Sequence, residues 1–210
     1  MTALASQLAV SLENARLYSS IERNFIDTLA SLAHTLEARD DYTRNHSERV
    51  TKVALLIAKQ MDFSADQLHV VEIGCRLHDI GKIGISDEIL KSDSKLTPEQ
   101  RQIMELHPSI GARILEPIKF LRGKGIKEIV VQHHERFDSA GYPHGLKGEE
   151  ISLEARIAAV ADTCDAMMSR RRYRRKIFTY EDIMEEIKRN AGTQFDPKQG
   201  RAAHLREAFR

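Results

Sequence analysis

Apolar positions along the chain recur at helical spacing, and no useful stretch alternates with the two-residue period of a strand. From Leu4 to Leu36 they return about once per turn without glycine or proline, which predicts one long helix or two nearly continuous ones. Such a helix has more surface than a small core covers, so we expect its first part to pair with a second copy or an upstream domain. The whole pattern predicts an all-α fold.

Capping signals divide the rest of the chain into further helices. Ser64 with Gln67 and Thr97 with Gln100 are capping-box patterns that open two of them. We expect His107 to end the helix that Thr97 opens, because a residue before proline disfavours helical backbone. Residues 135–150 are rich in glycine and proline and predict a loop. The remaining helices are predicted at 46–61, from about 124 to 131, at 152–168, from Thr179 toward Asn190, and from Asp196.

Charge and cysteine content exclude several classes of protein. The net charge is +1, from 32 basic and 31 acidic residues, so no global field favours nucleic acid or an anionic membrane. Cys75 and Cys164 are far apart and form neither a zinc-type pair nor a secreted disulfide framework. No apolar run has the length of a membrane span or the form of a signal peptide. We therefore expect a cytoplasmic fragment that does not itself enter a membrane.

Histidines and aspartates cluster near predicted helix ends, where side chains from different helices can meet at one mouth of a bundle. Imidazole and carboxylate groups together suit borderline divalent metals. One His-Asp pair alone is more often a surface ion pair or a capped helix end, but the joint occurrence favours a metal site. The candidate ligands are His46, His78, Asp79, His107, His133, His134 and Asp162.

Asp79 is the candidate bridge, because each oxygen of a carboxylate can bind a different metal ion. Two cations about 3.5–4 Å apart can hold a hydroxide and neutralise the attacking and leaving oxygens of a phosphoryl displacement. Lys82 follows Asp79 by one helical turn and could place its charge against the phosphate oxygens. This arrangement predicts hydrolysis of a phosphate ester, with Asp79 and Lys82 as catalytic residues.

Two longer motifs resemble the HD-GYP family. They are H-D-I-G-K at His78 to Lys82 and H-H-E-R-F-D-S-A-G-Y-P-H-G-L at His133 to Leu146, and the resemblance extends from about Leu29 to Pro197. It implies an HD-type helical bundle that hydrolyses cyclic di-GMP to linear pGpG by a metal-bridging hydroxide, with further hydrolysis to GMP left open.

The resemblance also implies roles for single residues. One metal would be held by His46, His78, Asp79 and Asp162, and a second by Asp79, His107, His133 and His134. Iron or manganese is expected, with nickel and zinc left open because mixed nitrogen and oxygen sites accept all four. Lys82 would contact phosphate, and Tyr142 of the Gly141–Pro143 motif would shape the nucleotide pocket. Some members bind a third metal through a glutamate where this chain has Tyr42, so two ions are implied.

The run from Arg170 to Lys176 holds six positive charges around Tyr173. A solvated helix end, where cations favour the negative end of the dipole, explains most of them. For Arg171 and Arg174 the resemblance instead implies contacts with the phosphates or bases of the dinucleotide, which suit the planar guanidinium. The run has no recognition helix or aromatic platform, so it gives weak support to binding of a DNA or RNA duplex.

Two departures from the family pattern keep other functions open. Ser139 stands where the family often has glycine, and Arg172 replaces a usual proline. The serine matters only if its position needs a positive φ. A catalytically weak module that senses or binds a cyclic dinucleotide is therefore a second hypothesis. A phosphohydrolase for another cyclic nucleotide is a third.

The N-terminal helix suggests a boundary within the chain. Residues 5–18 are similar to the last helix of a GAF sensor domain, which implies a signalling or linker helix at residues 1–23 and a phosphodiesterase domain at 24–210. The expected partners are cyclic di-GMP, an upstream sensor domain and a second copy in a homodimer through this helix. An amphipathic helix that only packs on the domain is the alternative.

Overall fold

The computed structural model describes residues 2–37, 45–92, 94–169 and 178–198. Across these ranges the regular structure is helical, and strand-like pairing is limited to the isolated bridges Asp138–Lys147 and Ala191–Phe195. The predicted all-α fold is confirmed. No helix in the described ranges is both long and apolar enough to cross a membrane.

The helices follow one another with short connections. In chain order they are α1 (Thr2–Glu37), α2 (His46–Gln60), α3 (Ala65–Leu77), α4 (Asp87–Leu90), α5 (Pro98–Met104), α6 (His107–Leu115), α7 (Ile126–Gln132), α8 (Leu153–Met168) and α9 (Tyr180–Arg189). Short 3₁₀ turns lie at Ile80–Gly84, Lys119–Leu121 and Gly148–Glu150.

Local capping signals located several helix starts correctly. The side chains of Ser64 and Thr97 each accept a hydrogen bond from the backbone N–H three residues on. In turn, the side-chain oxygens of Gln67 and Gln100 accept from the backbone N–H groups of Ser64 and Thr97. Both predicted capping boxes are therefore confirmed. Ser152 and Thr179 also cap α8 and α9 as predicted. The 36-residue α1 is one continuous helix, the first of the two forms that its pattern allowed.

The prediction that His107 ends a helix is wrong. α5 already ends at Met104, and His107 is the first residue of α6, with Pro108 directly after it. Proline is as well suited to the first turn of a helix, where its missing N–H has no partner to lose, as to the position after a helix. The residue before a proline therefore marks a helix boundary without telling which side of it the helix occupies.

Two clusters of buried apolar residues hold the helices together. The larger one joins α2, α3, α8 and α9 and includes Ile57, Ile157 and Ile183. The smaller one packs the end of α1, through Ile26 and Leu29, against α3, α6 and α7. Earlier in α1 the apolar side chains are exposed: Leu4, Leu8, Val10, Leu12, Leu17, Tyr18 and Ile21.

A close backbone approach at Gly81 draws two parts of the chain together. A Cβ at this position would lie 1.9 Å from the carbonyl oxygen of His107 and 2.5 Å from the backbone nitrogen of Gly111. No side chain fits in that space, so glycine lets the turn after α3 lie directly on α6. This contact sets Asp79 beside His107.

Candidate metal centre

Helix ends supply most of the candidate ligands. His46 is the first residue of α2, and His107 is the first residue of α6. His78 directly follows α3, whereas His133 and His134 directly follow α7. Asp162, by contrast, projects from within α8. The ends of separate helices thus converge beside one face of α8, as the positions of these residues in the sequence predicted.

Asp79 lies between two groups of histidines. Its Oδ2 atom is 3.4 Å from Nε2 of His78 and 3.7 Å from Nε2 of His46, while its Oδ1 atom is 3.3 Å from Nε2 of His107. Two sets of donor atoms are each close enough to share an ion: His46, His78 and Asp79, and His107, His133 and His134. The Asp79 carboxylate therefore has one oxygen toward each group.

Asp162 belongs beside the first group. Its Oδ1 atom lies 3.3 Å from Nε2 of His46. The second group is closely packed, because Nε2 of His107 lies 3.4 Å from Nε2 of His133, and the rings of His133 and His134 are 4.1 Å apart. The structure thus brings all seven candidate ligands together in one place.

Backbone carbonyls fix the orientation of three histidine rings. The Nδ1 atoms of His78, His107 and His133 donate to the carbonyl oxygens of Cys75, Met104 and Val130, at 2.7–2.9 Å. A carbonyl only accepts, so Nδ1 carries the proton and Nε2 has its lone pair free for a metal. Each carbonyl is three residues before its histidine, so the geometry is set locally.

Burial and neighbouring groups set the charges of the site. Burial and the nearby His107 lower the pKa of His134 to about 3, and burial with neighbouring histidines also lowers the pKa of His133 well below its usual range. Burial would raise the pKa of Asp79, but the charges of Lys82 and nearby histidines prevail and hold it well below the ordinary value. Neutral imidazoles and an ionised carboxylate are the protonation states that metal binding requires.

One buried atom indicates that these donors are arranged for a cation. Nε2 of His78 is buried and has no hydrogen-bond partner among the described residues. A buried polar atom without a partner costs about 1–3 kcal/mol. A divalent cation between His78, His46 and Asp79 would use this lone pair, and the mixed nitrogen and oxygen donors suit a transition metal.

Lys82 and Tyr142 lie beside the two groups. The Nζ atom of Lys82 donates to Oδ2 of Asp79 at 2.6 Å. The ring of Tyr142 stacks on His134 with centroids 4.8 Å apart. Gly141 makes this possible, because a Cβ there would lie 2.3 Å from the backbone nitrogen of Arg136 and 2.6 Å from the carbonyl oxygen of His134.

A cavity of about 140 Å³ opens beside His133, His134 and Asp162. Arg136, Thr163 and Gln194 also line it, and the sequence had not identified them as site residues. Arg136 lies within the second motif and Thr163 directly follows Asp162, so both positions carried a signal that could have found them. Gln194 is placed by the pairing of distant loops, in which the amides of Phe137 and Asp138 donate to the carbonyls of Gln194 and Thr193.

Other sequence predictions lie outside the described part of the chain. Arg171 and Arg174, predicted to contact substrate, fall within residues 170–177. Tyr42, which replaces the glutamate of a third metal site, falls within residues 38–44. Their predicted roles stay predictions.

Comparison with known proteins identifies relatives of most of the chain. The HD domain family matches residues 30–199. The chain is 39% identical over 196 residues to the cyclic di-GMP phosphodiesterase response regulator RpfG of Xanthomonas campestris, covering 91% of this chain and 51% of the relative. It is 40% identical over 185 residues to a cyclic di-GMP phosphodiesterase of Thermotoga maritima, covering 86% and 49%. The chain thus spans about half the length of these relatives.

A solved structure supports the fold. The cyclic GMP-AMP-specific phosphodiesterase V-cGAP3 of Vibrio cholerae superposes with a TM-score of 0.62 at 20% identity, covering 87% of this chain and 48% of that one. At this identity the likeness shows a shared arrangement of helices.

Proposed function

The chain belongs to the HD domain family, with the motifs of its HD-GYP branch, and on that premise we propose that it hydrolyses a phosphodiester bond of cyclic di-GMP to give linear pGpG. The observation that carries the proposal is Asp79, whose two oxygens face two separate histidine groups in one buried centre. Three relatives whose matches cover 80% or more of this chain are named as cyclic di-GMP phosphodiesterases or as a probable one, which supports this substrate.

We assign two divalent transition-metal ions to this centre. His46, His78, Asp79 and Asp162 would hold the first, and Asp79, His107, His133 and His134 the second. When bound, such ions polarise a phosphate and lower the pKa of water, which is the chemistry that phosphodiester hydrolysis needs. Iron or manganese is the proposed native metal, and nickel or zinc would also fit the donors.

Lys82 has two tasks in this proposal. Its ammonium group lies 2.6 Å from Asp79, so it helps to keep the bridging carboxylate ionised. Its side chain is also partly exposed, so its positive charge would be available to a phosphate that approaches Asp79. A fixed cation in a site with little water stabilises the charge that develops on phosphate oxygens during displacement.

Tyr142 and two arginines would bind the nucleotide. Tyr142 stacks on His134 and lines the cavity, so its ring forms a wall next to the second histidine group. Arg171 and Arg174 follow α8, the helix that carries Asp162, and we propose that they contact the phosphates or bases of the dinucleotide.

The experiment that tests the proposal combines product analysis with metal content. The protein, loaded anaerobically with Fe²⁺ or Mn²⁺, is expected to convert cyclic di-GMP to pGpG, as resolved by liquid chromatography. Asp79→Ala should abolish turnover and reduce metal per chain while circular dichroism still shows the helices. Asp27→Ala, at an exposed aspartate of α1, is the matched control and should change neither. Full turnover by Asp79→Ala would refute the assignment.

A second cyclic dinucleotide is the main alternative substrate, because relatives that are 32% and 31% identical to the chain are named 3′3′-cGAMP-specific phosphodiesterases. A panel of cyclic di-GMP, cyclic GMP-AMP and cyclic di-AMP, compared by kcat/KM, separates these substrates. A weak sensor module is the other alternative, and the positive φ of Ser139 in the loop before Tyr142 favours it. Saturable binding of cyclic di-GMP without product, with each metal tried, would establish that function instead.

We also propose that residues 1–23 form a signalling helix and residues 24–210 the phosphodiesterase domain. The exposed apolar side chains of early α1 support pairing with a second copy and continuity with an upstream sensor domain. Light scattering tests the homodimer: the pair Leu8→Lys and Leu12→Lys is expected to yield a monomer. We place the protein in the cytoplasm, where the free buried thiols Cys75 and Cys164 stay reduced.

A further inference from the structure

A buried carboxylate outside both histidine groups contacts His46 of the first group on the side of the ring that faces away from the candidate metal position. Asp165 lies on α8, about one turn after Asp162, and is 1% exposed. Its Oδ2 atom is 2.7 Å from Nδ1 of His46. The opposite nitrogen of the same ring, Nε2, lies 3.3 Å from Asp162. The His46 imidazole is therefore held between Asp165 and the candidate metal position.

Asp165 fixes the orientation of the His46 ring through Nδ1, as backbone carbonyls fix three other histidine rings of the site. His78, His107 and His133 each donate Nδ1–H to a carbonyl three residues earlier. His46 instead begins its helix, and its Nδ1 bonds to a side chain 119 positions away in the sequence. The orientation of this one ring thus depends on how α2 packs against α8.

Arg49 fixes Asp165 in turn. The Nε atom of Arg49 donates to Oδ1 of Asp165 at 2.5 Å, and Nη2 donates to Oδ2 at 3.0 Å and to Ser169 Oγ at 3.2 Å. A two-point contact between a planar guanidinium and a carboxylate fixes direction as well as distance. Arg49 lies one turn after His46 on α2, so the same helix carries the ring and the group that orients its partner.

The geometry of Asp165 assigns the proton in its contact with His46. Its carboxylate accepts two hydrogen bonds from the Arg49 guanidinium, so it also meets the His46 ring as an acceptor and the shared proton belongs on Nδ1. Nε2 must give up any proton before an ion binds, and its lone pair is then directed into the centre. A carboxylate behind a ligating imidazole also makes the ring a stronger electron donor.

We propose that Asp165 is a positioning residue for the first metal ion, holding His46 with Nδ1 protonated and Nε2 directed at the ion, and that Arg49 holds Asp165 in place. The inference rests on the metal assignment of the proposed function. The predicted effect is confined to the first ion, because His107 and His133 of the second group are oriented by their own backbone partners. Loss of Asp165 should weaken the first ion and leave the second in place.

The test is a titration of the metal-free full chain with Zn²⁺ against a chromophoric chelator. The wild-type protein is expected to bind two ions per chain. Asp165→Ala should weaken one of them by about 10–100-fold and leave the other unchanged. Asp165→Asn should have an intermediate effect, because its amide oxygen still accepts the hydrogen bond from Nδ1. This variant replaces Asp165→Ala in the test if the alanine variant does not fold.

Asp196 provides a matched control for loss of a buried ion pair. It is 2% exposed, and its Oδ2 atom lies 2.5 Å from Nη1 of Arg156, but it contacts no histidine of the centre. Asp196→Ala should therefore lower thermal stability as Asp165→Ala does, yet bind both ions with wild-type affinity. In the Zn²⁺-loaded wild-type protein, long-range ¹H–¹⁵N spectra should show the His46 proton on Nδ1.

Three results would overturn the inference. They are equal weakening of both ions in Asp165→Ala, no weakening in either Asp165 variant, and the same loss of metal in Asp196→Ala. Fewer than two ions on the wild-type chain would overturn it together with the metal assignment. If two ions bind as expected but cyclic di-GMP is not hydrolysed, the substrate proposal fails and the role of Asp165 stands.

Discussion

Ser139 is in a backbone conformation that glycine would adopt with less strain. Its φ is 68°, in the left-handed region, and its side chain is exposed. The HD-GYP pattern often has glycine at this position, and serine there is unfavourable only if φ is positive. The structure meets that condition, so we expect Ser139→Gly to stabilise the protein.

The expected gain follows from two opposing effects. A residue with a Cβ in the left-handed region is strained by about 1–2 kcal/mol. Glycine removes this strain but has more freedom in the unfolded chain, which costs about 0.4–1 kcal/mol. The net gain in the free energy of unfolding is therefore about 0.5–1 kcal/mol. For a domain of this size that raises Tm by about 1–4 °C.

Thermal and urea unfolding of the metal-free protein measure this difference. Ser86→Gly is the matched control, because Ser86 is also exposed, has an ordinary φ of −65° and makes no side-chain capping bond. Without strain to relieve, that variant should lose about 0.4–1 kcal/mol. If Ser139→Gly lost as much stability as Ser86→Gly, the argument from backbone strain would be wrong.

Three further predictions concern the site. Gly141→Ala forces a Cβ to within 2.3 Å of the Arg136 backbone, so turnover of cyclic di-GMP should fall at least about tenfold as the loop and Tyr142 shift. Gly123→Ala is the control: its φ of 69° makes the alanine strained, but a Cβ there meets nothing within 4 Å, so the variant should lose stability and keep turnover. Lys82→Met should lower kcat by about 10²–10³ with two metals still bound, as product assays and metal analysis would show. Burial opposes protonation of His46, but hydrogen bonds to Asp162 and Asp165 raise its pKa to about 10, so metal binding must release its proton. Affinity for the first ion, measured by calorimetry, should therefore increase with pH up to about pH 10 and be independent of pH if His46 is not a ligand.

Local signals in the sequence predicted the helices better than the contacts among them. The capping boxes at Ser64 and Thr97 involve residues three apart, so the sequence contains the whole interaction. His107 was placed at the wrong end of a helix because a proline after it fits either side of a boundary. The candidate ligands were recognisable by residue type and motif. The role proposed for Asp165 was not recognisable in the sequence, because it depends on a contact between α2 and α8 that no local pattern predicts.

The two histidine groups differ in charge, and this difference has a consequence for where a substrate binds. Asp162 and Asp165 lie against His46, and Asp79 is shared, so carboxylates concentrate around the first group. Among the proposed ligands, the second group combines the shared Asp79 with the imidazoles of His107, His133 and His134, whereas the first group has Asp162 as a second carboxylate; Asp162 and Glu135 also line the cavity beside His133 and His134. A divalent ion in the first group would be largely neutralised, whereas one in the second would keep more positive charge. The cavity opens beside His133 and His134, and Arg136 lies on its wall. An anionic phosphate should therefore approach from the side of the second group, while the first group, held from behind by Asp165 and Arg49, anchors the centre to α8.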